Sequence, residues 1–260
     1  MRGILKVVIS LQFLVVFRCQ TLTLPKGIQK CNYGDLKCII ESMNNVIKQF
    51  PKGIPAIGMI PTDVVDVPNL ELWNNDESGG VWLKFQLFNQ INYGFENTTI
   101  TKLKGFGRDP TATTMEIHGQ IPSLIHKGSY IATGRVGFTL INTTGESVSD
   151  FQHFQFTLKL KVITEYRNNT RYLKIYELVP IVKMKRWILW LDEFFKENSD
   201  LTLAVNKVFN AHWVEFYNEM EPSILDVFSK VFTSLIGGIF HKVPYDELFL
   251  NNDFGNEQKS

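Results

Sequence analysis

From about Leu201 to Phe240 the chain sets an apolar residue at every third or fourth position: Val205, Val208, Phe209, Trp213, Phe216, Tyr217, Met220, Ile224, Val227, Phe228, Val231, Leu235 and Ile239. That spacing lays them along one side of an α-helix. Forty residues at 1.5 Å each make a rod of about 60 Å. Asp200 is placed to cap its start, and Pro222, which has no N–H to donate, is expected to kink or interrupt it near Glu221. Beyond Pro222 the rod is apolar on almost every side, with Leu225, Phe232, Ile236 and Phe240 between the stripe residues. A helix of that kind has to be surrounded by the rest of the chain.

The surroundings are legible upstream. From about residue 64 to 190 the apolar period changes from 3.6 to 2. Val81, Leu83, Phe85 and Leu87 alternate with polar neighbours and Trp82, as do Val136, Phe138 and Leu140, and Phe154, Phe156, Leu158, Leu160 and Val162. Turn-like stretches at 74–80, 105–110, 143–145 and 167–170 separate these runs, which suggests antiparallel meanders and not βαβ units. Strands this long in one sheet have to twist and curl. Before them, Leu36, Ile39, Ile40, Met43, Val46 and Ile47 predict a short amphipathic helix that Pro51 and Gly53 end. Ile54-Pro55, Gly58, Pro61 and Pro68 then forbid a long helix there, so the chain is expected to be extended as it enters its first strands.

The first residues, with Arg2 and Lys6 followed by an apolar run from Val7 to Phe17, have the layout of a secretory signal peptide, taken here as residues 1–21. The run is too short for a membrane span, and no other stretch is expected to cross a bilayer. Residues 22–250 are expected to form one domain and 251–260 a polar tail. Removing Arg2, Lys6 and Arg18 turns 27 basic against 26 acidic residues into 24 against 26, a net charge of −2. There is no basic stripe for a nucleic-acid partner. Cys31 and Cys38 are left as an even pair in an oxidising compartment and are expected to bond to each other. The sequons at Asn97, Asn142 and Asn168 agree with export and are expected on the surface as glycosylation sites.

Catalytic and cofactor motifs are missing. Gly145-Glu146-Ser147-Val148-Ser149 lacks the second glycine of a nucleophile elbow and reads as a turn. Gly105-Phe106-Gly107 lacks the third glycine of a phosphate loop and reads as a strand-end turn. No Walker loop, zincin helix or dinucleotide fingerprint occurs, so no cofactor and no metal is expected. The five histidines, His118, His126, His153, His212 and His241, show no ligand spacing and read as surface or edge residues. Lys183-Met184-Lys185-Arg186-Trp187-Ile188-Leu189-Trp190 has two readings: a membrane-surface anchor, or a strand entering an aromatic cluster with its lysines in water. The strand-like run from Tyr176 to Val182 favours the second.

Cys31-x6-Cys38 with Asp35 between, Ile54-Pro55 and Pro61, and Ile121-Pro122-Ser123-Leu124 before Gly128-Ser129-Tyr130 resemble the insect takeout and juvenile-hormone-binding family. So do Asn210-Ala211-His212-Trp213, Glu221-Pro222 and the closing Val243-Pro244-Tyr245-Asp246-Glu247-Leu248-Phe249. Glu146–Asp150 and Asn198–Leu201 depart from the family pattern. The resemblance implies an α+β domain in which a strongly curved antiparallel β-sheet wraps the long C-terminal α-helix around an apolar tunnel, as in the tubular lipid-binding superfamily. It also implies a secreted, monomeric, non-enzymatic carrier whose partner is a small hydrophobic ligand, a terpenoid or fatty-acyl compound. The residues alone leave a solid core and a dry channel both open, and favour the solid core. Given the resemblance, the expected tunnel lining is Trp213, Phe216, Tyr217, Met220, Val227, Phe228 and Val231 from the helix. The sheet would add Phe85, Leu87, Phe138, Leu140, Phe154, Phe156 and Leu158. A membrane-docking lipid-transfer protein using Lys183, Lys185 and Trp187, and a lipid esterase, are the rival readings.

Overall fold

In the computed structural model, residues 24–73 and 81–250 are described. The expected signal peptide, the turn at 74–80 and the polar tail lie outside them. The first amphipathic stripe forms helix α1, Leu36–Gln49, whose start is capped by Asp35 accepting from the Cys38 N–H at 3.1 Å. Cys31 and Cys38 are disulfide-bonded, which ties the segment before α1 to its first turn.

Among the described residues eight strands follow: β1 (Val65–Val67), β2 (Leu70–Trp73), β3 (Val81–Tyr93), β4 (Thr99–Lys104), β5 (Met115–Val136), β6 (Thr139–Arg167), β7 (Thr170–Lys183) and β8 (Arg186–Leu191). They form one antiparallel sheet in the order β1-β3-β5-β6-β7. The paired long strands β5 and β6 are its spine. β4 and β3 follow one another along the outer side of β5, β7 and β8 along that of β6, and β1 and β2 along that of β3. Among the described residues the sheet does not close.

The 29 residues of β6 would measure about 95 Å if straight. They bend at a defined place. His153 takes φ +50°, and it stands opposite Pro122, which has no N–H for the ladder, between the pairs Ile121–Phe154 and Ser123–Gln152. The buried positions change phase there in both strands: Met115, Ile117 and Ile121 give way to Leu124, His126 and Tyr130 in β5, and Ile141, Ser147 and Phe151 give way to Phe154, Phe156 and Leu158 in β6. The sheet thus turns while keeping the same face on the core. β3 does the same at Asn89, φ +52°.

One expected strand and one expected turn fall differently. Val136, Phe138 and Leu140 do not share a strand, because Gly137 and Phe138 are the turn between β5 and β6, and Phe138 and Leu140 are exposed. Alternation does not register a two-residue turn. Conversely, Thr143-Thr144-Gly145 lies inside β6; Gly145 serves there to admit Asp192, whose carboxylate a Cβ would meet at 2.4 Å. The Asn168-Asn169 turn stands where expected, both residues having positive φ.

The long helical segment is two helices, α2 (Ser199–Ala211) and α3 (Trp213–Lys242). The break is at His212 and not at Pro222, and the cap is Asn198, accepting from the Leu201 N–H at 2.9 Å, in place of Asp200. α3 runs unbroken through Pro222 because that residue sits on its exposed stripe, Asn218, Glu219, Pro222, Asp226 and Lys230, where water reaches the carbonyl left without a donor. α3 is therefore wrapped on its apolar side and not all round. By length and composition it is long and apolar enough to cross a bilayer, which the sequence reading did not anticipate. In this fold its apolar side lies on the sheet, Phe228 against Phe151 and Phe154, and Phe232 against Phe156 and Phe95.

Candidate ligand-binding site

A cavity of about 260 Å³ lies between α1, the last turns of α3 and the inner face of β4–β6. Ile39, Met43, Val46 and Ile47 line it from α1; Phe232, Leu235, Ile236, Ile239 and Phe240 from α3; Ile100, Ile117, Phe156 and Leu158 from the sheet. The apolar stripe of α1 faces this space instead of a solid core, which is why Met43, Val46 and Ile47 are only half buried.

Three local devices hold the walls. Gly58 and Gly238 bring the turn at 55–58 against α3: a Cβ on either would stand 2.2–2.4 Å from the other's carbonyl oxygen. Lys242 donates to the Pro55 carbonyl at 2.8 Å across the same contact. The segment after α3 then crosses to the disulfide. Leu250 N–H donates to the Cys31 carbonyl at 2.9 Å, Phe249 stacks on Tyr33 at 4.2 Å, and Tyr245 donates to the Gly107 carbonyl at 2.7 Å.

Asp246 anchors that strap, accepting from Tyr33 at 2.5 Å and pairing with Arg171; Lys30 meets Glu247 at 3.0 Å. Burial alone would raise the Asp246 carboxyl, but the hydrogen bonds from Arg171 and Tyr33 hold it below its ordinary value. The Tyr33 hydroxyl is pushed up to about 12, by burial first and then by Asp246.

Polar groups in the lining are few and mostly engaged. Ser42 donates to the Gln29 carbonyl at 2.7 Å, and Thr98 to the Phe95 carbonyl at 2.6 Å. Each hydroxyl oxygen keeps acceptor capacity toward the cavity. Such a surface holds apolar matter by burial and has almost no means of moving a proton.

The expected lining residues scatter. Phe156 and Leu158 line the cavity. Phe85, Phe154, Tyr217, Val227, Phe228 and Val231 are buried core, and Leu87, Trp213, Phe216 and Met220 are half-buried against it. Phe138 and Leu140 face solvent at 106% and 77% exposure, far from any interior. Sequence reasoning missed the α1 residues, the end of α3 and the closing segment. Their signals were present: α1 is amphipathic, and α3 beyond Val231 is apolar on faces that the sheet alone cannot cover.

The other candidate patches resolve as follows. Trp187 is 3% exposed and stacks on Phe151 at 6.0 Å, while Lys183 and Lys185 face solvent. Ser147 is buried inside β6, donating to the Gly128 carbonyl at 3.2 Å. Asn97, Asn142 and Asn168 are exposed. Among the described residues no three His, Cys, Asp or Glu side chains gather as a metal site. His126, read from sequence as a surface or edge residue, is buried at 8% exposure, because the phase change in β5 turns it inward.

Comparison with known proteins places this geometry. The family model for haemolymph juvenile hormone binding protein (JHBP) matches residues 9–250. The circadian clock-controlled protein daywake of Drosophila yakuba is 23% identical over 228 residues, covering 86% of this chain and 88% of that one. Daywake of Drosophila melanogaster is 22% identical over 231 residues, with the same shares covered. Takeout 1 of Epiphyas postvittana superposes with a TM-score of 0.69 at 21% identity, covering 84% of this chain and 97% of that one. It shares the curved sheet wrapped on a long C-terminal helix.

Proposed function

The chain belongs to the haemolymph juvenile hormone binding protein family, and we propose that it is a secreted, non-catalytic, monomeric carrier for a small hydrophobic ligand held in the cavity beside α1. The observation that carries this reading is the cavity itself, lined by apolar side chains from four parts of the chain and open at one side. A dry cavity of about 150 Å³ accommodates a benzene ring, so the 260 Å³ here suit on the order of ten carbons. At about 0.8 kcal/mol per methylene that is roughly 8 kcal/mol before association costs, in the range of a useful carrier. A longer terpenoid or fatty-acyl chain places its remaining carbons in the open mouth. Phe156 and Leu158 contact the ligand directly; the other buried residues expected from sequence, Trp213 to Val231 with Phe85, Leu87 and Phe154, support the walls.

Export by a signal peptide at residues 1–21 and glycosylation at the three exposed sequons complete the reading. Trp187, which the membrane-docking alternative needs at the surface, is buried, and so is Ser147, the serine nearest to a nucleophile-elbow pattern; both observations favour the carrier. Native mass spectrometry of the insect-cell product, followed by lipid extraction, tests the carrier. One co-purified apolar molecule is expected, and Met43→Arg, which puts a charge into the half-buried wall, should reduce uptake of a fluorescent fatty acid more than tenfold. A protein recovered empty that takes up neither a fatty acid nor a terpenoid ester overturns it.

A further inference from the structure

β3 points Leu83, Phe85 and Leu87 toward the core and then, past the left-handed residue Asn89, points Gln90 and Asn92 inward. Asn92 is the direct cross-strand partner of His126 on β5. The three side chains are 2%, 0% and 8% exposed. Gln90 is oriented by its amide N–H groups, which donate to the Ser129 carbonyl at 2.7 Å and the Phe88 carbonyl at 3.3 Å. Its Oε1, both ends of the Asn92 amide and Nε2 of His126 have no hydrogen-bond partner.

Burying an amide with neither end paired costs more than almost any apolar side chain would at the same position. Folds keep such groups where something outside the chain completes them. Phe95, in the cavity wall, follows Asn92 by three residues, across the left-handed Gly94 and into a short 3-10 turn, so at most about 10 Å of chain separates the two. Burial holds His126 down at about 4, so it is neutral at physiological pH, and the amides carry no charge.

We propose that Gln90, Asn92 and His126 form an internal polar station that binds an uncharged hydrogen-bonding group, a hydroxyl, ketone, ester or amide, on a ligand whose apolar part fills the cavity. This rests on the carrier reading and specifies the head group that reading leaves open. A hydroxyl donates to Asn92 Oδ1 or Gln90 Oε1 and accepts from Asn92 Nδ2. A ketone or ester accepts from Asn92 Nδ2; a carboxylate could accept there too, but it would bury an unpaired charge among uncharged groups.

Displacement of bound N-phenyl-1-naphthylamine by 1-decanol, methyl decanoate, decanoate and decane at pH 7 separates the possibilities. The alcohol and the ester are expected to bind at least tenfold tighter than the alkane and the carboxylate. In Asn92→Leu that preference should fall below twofold, with alkane binding retained. Alkane binding without head-group preference in the wild type, or a preference that survives Asn92→Leu, overturns the station and leaves the carrier standing. Failure of all four probes defeats the carrier and the station together. Should the variant not fold, the side-chain nitrogen resonances of His126 in the wild type decide. They should shift with decanol and not with decane, and unchanged resonances, as resident water alone would give, overturn the proposal.

Discussion

Two buried asparagines divide this molecule. Asn206, on α2 and 1% exposed, accepts from the Leu191 N–H at 2.8 Å and donates to the Leu191 and Thr202 carbonyls at 2.8 and 3.0 Å. Asn210, one turn on, does the same for Leu189. Together they cap the outer edge of β8, which would otherwise offer unpaired backbone to another chain. The rings around them are in contact, Phe194 on Phe209, Phe209 on Phe216 and Trp187 on Tyr217. Asn92, equally buried at the other region, finds no partner for its side-chain amide among the described residues, and nearby Phe95 lines the cavity. One residue type thus serves opposite ends: satisfied, it locks a helix to a sheet edge; unsatisfied, it marks where the chain is incomplete alone.

The largest effect that would break this contrast is at Asn206. Asn206→Leu leaves both Leu191 backbone groups buried and unpaired, at about 2 kcal/mol each, so a loss of roughly 4 kcal/mol is expected in urea unfolding. Asn92→Leu should cost nothing or add stability. Equal losses at the two sites would erase the distinction.

Next is pH. The folded-state value of His126, about 4, lies below its ordinary 6.5, so the unfolded chain takes the proton first. The stability is complete above pH 6.5 and is lost as pH falls to about 4, by on the order of 3 kcal/mol. His126→Phe should flatten the stability profile across that window; a wild-type profile already flat there would place the imidazole in contact with water.

Smaller effects separate filled from empty space. Val231, 1% exposed in the packed part of α3, should lose about 2 kcal/mol on enlargement to Phe, whereas Ile236→Phe in the cavity wall should change stability by less than about 1 kcal/mol while weakening ligand uptake. The smallest expected effect is at Asp246, 46% exposed in its side chain. Its folded-state pKa is held below 3.8, so its contribution is present above that pH and lost as pH falls further. In Asp246→Asn the melting temperature should depend less on pH below 4.

Much of this was readable before any coordinates. α1, the period-2 half, the Asn168-Asn169 hairpin and the Cys31–Cys38 pair follow from spacing, turn chemistry and parity, all properties of neighbouring residues. The candidate lining was displaced along the helix: Trp213 to Val231 were named, while the cavity begins at Phe232. Asn210, noted only as part of a resemblance, has a role that requires β8 to lie alongside α2.

The amino-acid order by itself determined the broad division into helical and strand halves, and that an apolar rod had to be covered on at least one side, because periodicity is decided within a few residues; the exact cap, the helix break and the β5–β6 turn were not fixed that way. Only the tertiary structure decided where the covering stops. The cavity exists because the strap at Asp246 reaches Tyr33 across 213 positions of chain and the strands change phase at Asn89 and Pro122. A void has no side chain of its own to announce it; it is what remains when distant elements meet at distances set by their backbones.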